Sequence, residues 1–192
     1  MEADWEVELG GGAQVIEPLW PGFVDLRRSP DRVQELQEVM RLPALAEILG
    51  RLNGVESPVW TSKCDVWSVA DIDPDELDAP REASLHAIAC YVDILPESDQ
   101  QWDTPAVTTA WSRNICSLLQ AIPMRCCRAD LVVRHAMLCD ELTDFGITAY
   151  LTACGPSERN AADMLSGALA ALADSIAPKA PTETAASKRQ EM

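Results

Sequence analysis

Two sets of residues in this chain have the types and spacing to do chemistry. The first is spread over three segments, 59–69 (VWTSKCDVWSV), 128–138 (RADLVVRHAML) and 145–154 (FGITAYLTAC). In each segment an apolar residue alternates with a polar or aromatic one, the period of a half-buried strand. Paired into one sheet, they put Lys63, Asp65, Trp67, Asp130, Arg134, Thr148, Tyr150 and Thr152 on the face opposite the core. Cations, carboxylates and aromatic rings with polar handles on one face are the mixture that contact surfaces enrich. Lys63, Asp65, Asp130 and Arg134 could form ion pairs across strands. Exposed ion pairs contribute only about 0–1 kcal/mol each, too little to account for such a face as a stability device. Lys63, Asp65, Trp67, Asp130, Arg134 and Tyr150 are therefore the candidate partner-binding residues. A terminal helix or the N-terminal segment lying over this face would instead make Trp67 and Tyr150 packing residues.

The second set is Cys126 and Cys127, between Arg125 and Arg128. Neighbouring guanidinium groups lower a thiol pKa, so these two are the candidate reactive thiols. With Arg113, Arg134 and Lys63 the same segment could also form a small anion pocket. Pairing with the surplus carboxylates is the simpler expectation.

Other constellations fail on spacing. Asp71, Asp73 and Asp75 stand at positions 1, 3 and 5 of a calcium loop, with Glu82 at position 12, but Glu76 holds the place of the turn glycine. Asp73 as a helix cap, followed by Pro74 and Glu76, explains the stretch more simply. Zinc sites use paired short spacings, and the chain contains no Cys-x-x-Cys. His135 and Cys139 come together only on a helix, and their segment reads as strand. The Gly10-Gly11-Gly12 triplet lacks the strand-to-helix setting of a phosphate loop. No metal and no cofactor is expected, and the balance leans away from catalysis.

The elements that position these residues follow from local signals. Trp5, Val7 and Leu9 alternate with acids, an edge-strand pattern within an otherwise irregular segment 1–28. Ser29-Pro30 opens a helix with Val33, Leu36 and Met40 on its inner stripe. Pro43 starts a second, with Leu45, Ile48, Leu49 and Leu52 inward, stopped by Asn53-Gly54. Residues 80–95 carry Leu85, Ile88, Val92 and Leu95 at helical spacing, which predicts a helix with His86, Cys90 and Asp93 on its far side. Thr104-Pro105 caps a helix burying Val107, Trp111, Ile115, Leu118, Leu119 and Ile122. Segments 128–138 and 145–154 form a hairpin around 139–144. A last helix buries Leu165, Ala168, Leu169, Leu172 and Ile176. Residues 178–192 have no periodicity and are expected to be a disordered tail.

The expected fold is α+β: a three- to four-stranded antiparallel sheet with about five helices packed mainly on one face, in a single domain over 29–177. On strand one, Trp60, Cys64 and Val66 are expected on the core side and Thr61 on the open side. In general architecture alone this layout resembles bacterial secretion chaperones and immunity proteins, and no residue carries across.

With 192 residues and a formal charge of −16, the chain can bury a real core and repels phosphate backbones. Nucleic acid is therefore not an expected partner, whereas a basic protein is. No run reaches the roughly 20 apolar residues of a membrane span. The acidic start lacks a signal peptide's basic and apolar regions, and the odd count of seven cysteines fits free thiols, so a cytoplasmic location is expected. The leading expectation is a non-catalytic partner-binding protein: an adaptor, dedicated chaperone or inhibitor. The alternatives are a small enzyme or ligand- or thiol-sensing domain using 125–128, and an acidic metal-binding protein using 71–82. A homodimer through the open face satisfies the same pattern.

Overall fold

A computed structural model describes residues 1–81, 85–97, 102–138 and 141–177. The architecture is one five-stranded sheet in the order β1-β4-β5-β3-β2. Its strands are β1 (Glu2–Val7), β2 (Val59–Val69), β3 (His86–Pro96), β4 (Cys127–Leu138) and β5 (Glu141–Gly155). The helices are a 3-10 turn (Pro30–Glu35), α1 (Gln37–Arg41), α2 (Ala44–Leu52), α3 (Pro105–Gln120) and α4 (Glu158–Ile176). The α+β class is as expected, but the sheet is larger and it is mixed. β1 runs parallel to β4, whereas β4-β5, β5-β3 and β3-β2 are antiparallel. The expected tail, 178–192, lies outside the described residues.

The largest departure is β3. Residues 86–96 form a strand in the sheet interior, not a helix. The run is apolar nearly throughout, so a 3.6 and a 2.0 period both fit it. Ile88, Val92 and Ile94 are β-branched, and strands on both sides satisfy the backbone, which settles the choice in favour of strand. Consequently His86, Cys90 and Asp93 do not form a stripe. Cys90 turns to the helices, and Asp93 to the other face.

One face of the sheet packs on the helices. Val66, Cys90, Val92, Ile94, Ala129, Leu131, Val133, Ile147, Ala149 and Leu151 join Leu45, Leu49, Ile115, Leu119, Leu165, Leu169 and Leu172 in one core. The inner residues expected on α4 are all buried. On α3 the buried stripe is rotated: Thr108, Ser112, Ile115, Cys116 and Leu119 face inward, while Val107 and Leu118 are each 45% exposed. The hydroxyls explain how a polar stripe is tolerated. Thr108 Oγ1 donates to Thr104 O (3.3 Å) and Ser112 Oγ to Thr108 O (3.0 Å), so neither needs an outside partner.

Side chains bond backbone carbonyls on both edge strands. On β1, Gln120 Nε2 donates to Ala3 O (2.8 Å) and the Cys116 thiol to Asp4 O (3.1 Å). On β2, Arg41 Nη1 donates to Val66 O (3.0 Å) and Trp20 Nε1 to Ser62 O (3.3 Å).

Candidate functional site

The second face of the sheet is neither fully open nor fully covered. At one end the segment after β1 crosses it as a strap. Glu8 N–H donates to Val133 O, Ile16 bridges Ala136 in parallel, and Ser62 Oγ donates to Glu17 O. The strap lies close because Gly146 beneath it has no side chain: a Cβ there would sit 2.7 Å from Ile16 Cδ1 and 3.0 Å from Ile94 O. At the other end the stretch after β2 folds back, and Leu77 packs with Ala87 and Cys154. Between strap and loop three rows of side chains remain.

The register defines these rows. The central one runs Asp65–Tyr91–Tyr150–Asp130 across β2, β3, β5 and β4. On the strap side Asp93 stands opposite Thr148, and on the loop side Thr152 opposite Arg128. Trp67 lies diagonal to Tyr91, ring centroids 6.2 Å apart, and Tyr91 is 5.9 Å from Tyr150. The Arg134 guanidinium continues the series 5.5 Å from the Tyr150 ring. Three aromatics and a cation thus cross four strands at contact spacing.

The strap and this ladder enclose a pocket of about 360 Å³ lined by Ile16, Lys63, Trp67, Tyr91, Asp93, Arg134 and Tyr150, among others. Arg134 is only 7% exposed. Its Nε and Nη2 donate to Glu8 Oε2 (2.9 and 2.7 Å) and its Nη1 to the Tyr150 hydroxyl (3.0 Å). Burial opposes its charge, but the hydrogen bonds to Tyr150 and Glu8 outweigh that and hold its pKa above the usual value. Asp93 is 6% exposed and accepts a 2.7 Å hydrogen bond from Thr148 Oγ1. Burial raises its carboxyl above the usual range, against the pull of Thr148, Lys63 and Arg134. Burial, with Asp93 and Asp65 nearby, pushes the Tyr91 phenol up to about 12, so it stays a neutral donor. Lys63 Nζ is 3.8 Å from Glu17 and 5.6 Å from the Trp20 ring.

Of the residues expected from sequence, Lys63, Trp67, Arg134 and Tyr150 line this pocket. Asp130 lines a second one, of about 280 Å³, with Arg128, Thr152, Asp71 and Glu76. Asp65 is drawn to the β2 edge, where it faces Arg41 at 3.5 Å. The four charged residues do not pair with one another. Their partners are Glu17, Arg41, Arg128 and Glu8. Trp60 and Thr61 are exchanged relative to expectation. A bulge between Thr61 and Cys64 places two residues opposite one and resets the alternation. Thr61 is bound inside by Asn53, and Trp60 joins Ile16, Leu95 and Ala136 under the strap.

The arginines beside Cys126 and Cys127 are engaged elsewhere. Arg125 makes a two-point contact with Asp78 (2.7 and 3.0 Å), and Arg128 binds Asp130. Cys127 is buried, which pushes its thiol up to about 11. In the acidic loop, Asp73 Oδ1 accepts from Asp75 N–H and Asp75 is bound by Arg81, while Glu82 lies outside the described residues. Cys139 also lies outside them. Among the described residues no group of three His, Cys, Asp or Glu side chains is placed to hold a metal ion. Among them, too, no helix is long and apolar enough to cross a membrane.

Sequence reasoning missed Tyr91 and Asp93, which the β3 misassignment placed on a helix, and Glu8 and Ile16 of the strap. The signal for the first two was present: Ala87, Ala89, Tyr91 and Asp93 alternate at period two. Compared with protein-family models, curated proteins and solved structures, the chain matches none.

Proposed function

We propose that this is a non-catalytic partner-binding protein, an adaptor, dedicated chaperone or inhibitor, that grips a basic segment of another protein on its polar-aromatic sheet face. The observation that carries the reading is the Trp67–Tyr91–Tyr150 ladder, open between the strap and the 70–81 loop. Four aromatic rings, Tyr150 at the end of the ladder among them, carry one of the fold's own cations: Arg134 on Tyr150, Arg27 on Trp60, Lys63 on Trp20 and Arg113 on Trp5. Among the described residues no cation stands over Trp67 or Tyr91, and Trp67 is 38% exposed. A partner's lysine or arginine seated there would gain cation–π attraction, with Asp65 opposite Tyr91 in the central row. The chain's formal charge of −16 steers such a partner in.

The test is affinity capture from native lysate with the wild-type protein and with a Trp67→Ala/Tyr91→Ala variant checked for its fold by circular dichroism. The expected result is a stoichiometric basic partner that is released as salt rises. Its affinity for the folded variant should fall by roughly 30-fold or more, the size of a binding hot spot. Equal retention by the variant, or no partner under either condition, sinks the reading.

One observation favours a second reading, a ligand-sensing domain. The pocket of about 360 Å³ is within the roughly 300–1,000 Å³ of small-molecule sites and has a buried carboxyl, Asp93, on its floor. The enzyme or thiol-sensor version that uses 125–128 is less favoured, because Arg125 and Arg128 are committed to Asp78 and Asp130.

A further inference from the structure

We propose that Cys126 and Cys154 are a redox-active pair that closes into a disulfide by exchange with a low-molecular-mass disulfide such as oxidised glutathione. The inference is independent of the partner-binding face. Cys127 stands opposite Ala153, so the next position outward sets Cys126 opposite Cys154. Cys154 N–H donates to Cys126 O at 2.9 Å, closing the ladder at that point. The 2.9 Å backbone bond brings the two residues' main chains together at the mouth of the ladder, where opposed Cα atoms of a regular pair stand about 5.5 Å apart and a disulfide spans roughly 4.4–6.8 Å. The Cys154 thiol is pushed up to about 11, by burial first and then by the neighbouring Cys126 thiol. Both belong to the cluster formed with Leu77 and Ala87.

The backbone of Cys126 supports the assignment. Its φ is +60°, a left-handed conformation that a cysteine rarely adopts and that costs on the order of 1 kcal/mol. Cys126 packs in the cluster that holds Cys154, while Cys127 joins the helix-side core with Ala129 and Leu131. The other described cysteines are placed apart. Cys116 is bound to Asp4 O, and Cys64 and Cys90 sit diagonally on the helix face with Cys90 fully buried.

Exposure sets the order of events. Cys126 is partly exposed and Cys154 is buried. The Cys126 thiolate attacks one sulfur of the small disulfide, forming a mixed disulfide and expelling one thiolate. That thiolate takes up a proton. Cys154, deprotonated in turn, attacks Cys126 Sγ and expels the second small thiol. Two protein thiols are oxidised and one small disulfide is reduced to two thiols, so electrons and protons balance. The bond would pin the surface on which Leu77 and Ile72 rest, next to the Arg125–Asp78 contact that anchors the same loop.

The experiment equilibrates the full chain in glutathione buffers of rising oxidised fraction, followed by acid quench, alkylation and peptide mapping by mass spectrometry. The wild type and Cys127→Ser should yield a Cys126–Cys154 link that dithiothreitol reverses. Cys126→Ser should yield none. Cys154→Ser should stop at a glutathione adduct on Cys126. A link from Cys126 to Cys127 or to any other cysteine overturns the proposal. So does a pair that stays alkylatable at every ratio in protein with a native circular dichroism spectrum, or a link that forms only in urea.

Discussion

The two faces of this sheet are built from the same strands by different rules. The helix side is held by shape and by area removed from water. Ala129, Leu131, Ala149, Leu151 and Leu165 are at most 1% exposed and carry no polar side-chain atom. The other side is held by named partners: Arg134 by Glu8 and Tyr150, Asp93 by Thr148, Arg128 by Asp130. A core face tolerates exchange of one apolar residue for another of similar volume. A face of paired polar groups does not, because each lost partner strands the other. The difference suggests a division of labour, with stability on the helix side and recognition chemistry on the strap side.

The largest expected effect tests the first half of that division. Leu151 stands on the central strand β5 and is fully buried. Leu151→Ala should lower unfolding free energy by about 2–5 kcal/mol, read from urea melts, through lost burial and the cavity left behind. A loss below about 1 kcal/mol would mean that the helix side is not where stability resides. Gly146→Ala comes next and addresses the other face. The new methyl would meet both Ile16 and the Ile94 carbonyl, so the strap must lift. A cost of roughly 1–3 kcal/mol is expected, with faster hydrogen exchange at Ile16 and Met137, whose N–H groups tie the strap to β4. Unchanged exchange would mean that the strap does not depend on the bare glycine.

The two faces were unequally legible in the sequence. Alternation in 128–134 and 147–152 reports the inward set faithfully, because burial on one side leaves a period of two. It fails where a residue count changes. The bulge at 61–64 inverts Trp60 and Thr61, and the backbone pairing with β3, not the local composition, decides where such a bulge falls. It fails again in 86–96, a largely apolar run on which a helical and a strand period both fit. The partners of the charged residues were illegible for another reason. Arg134 finds Glu8 from 126 residues away, and Lys63 finds Glu17 on the strap. Such pairings depend on the parallel placement of β1, which no local signal encodes.

Asp93 gives the finest test, because burial and charge act on it in opposite directions. Its carboxyl is raised by burial, with Thr148, Lys63 and Arg134 pulling it back down. The folded protein therefore holds this proton more tightly than the unfolded chain, whose aspartate titrates near about 3.9. Below that value both states are protonated, and the preference for the folded state is fully present. As pH rises through the raised folded value it is lost, and at neutral pH the buried charge is a standing cost. Asp93→Asn keeps an oxygen for the Thr148 hydroxyl and removes the charge. The variant should be more stable than wild type at pH 7 by on the order of 1 kcal/mol, a Tm rise of roughly 2–4 °C, and the gain should vanish near pH 3.5. A variant less stable at pH 7 would show that Lys63 and Arg134 hold Asp93 as an anion. The strap-side face would then be a compensated charge network in which Asp93 is neutralised by the protein's own cations.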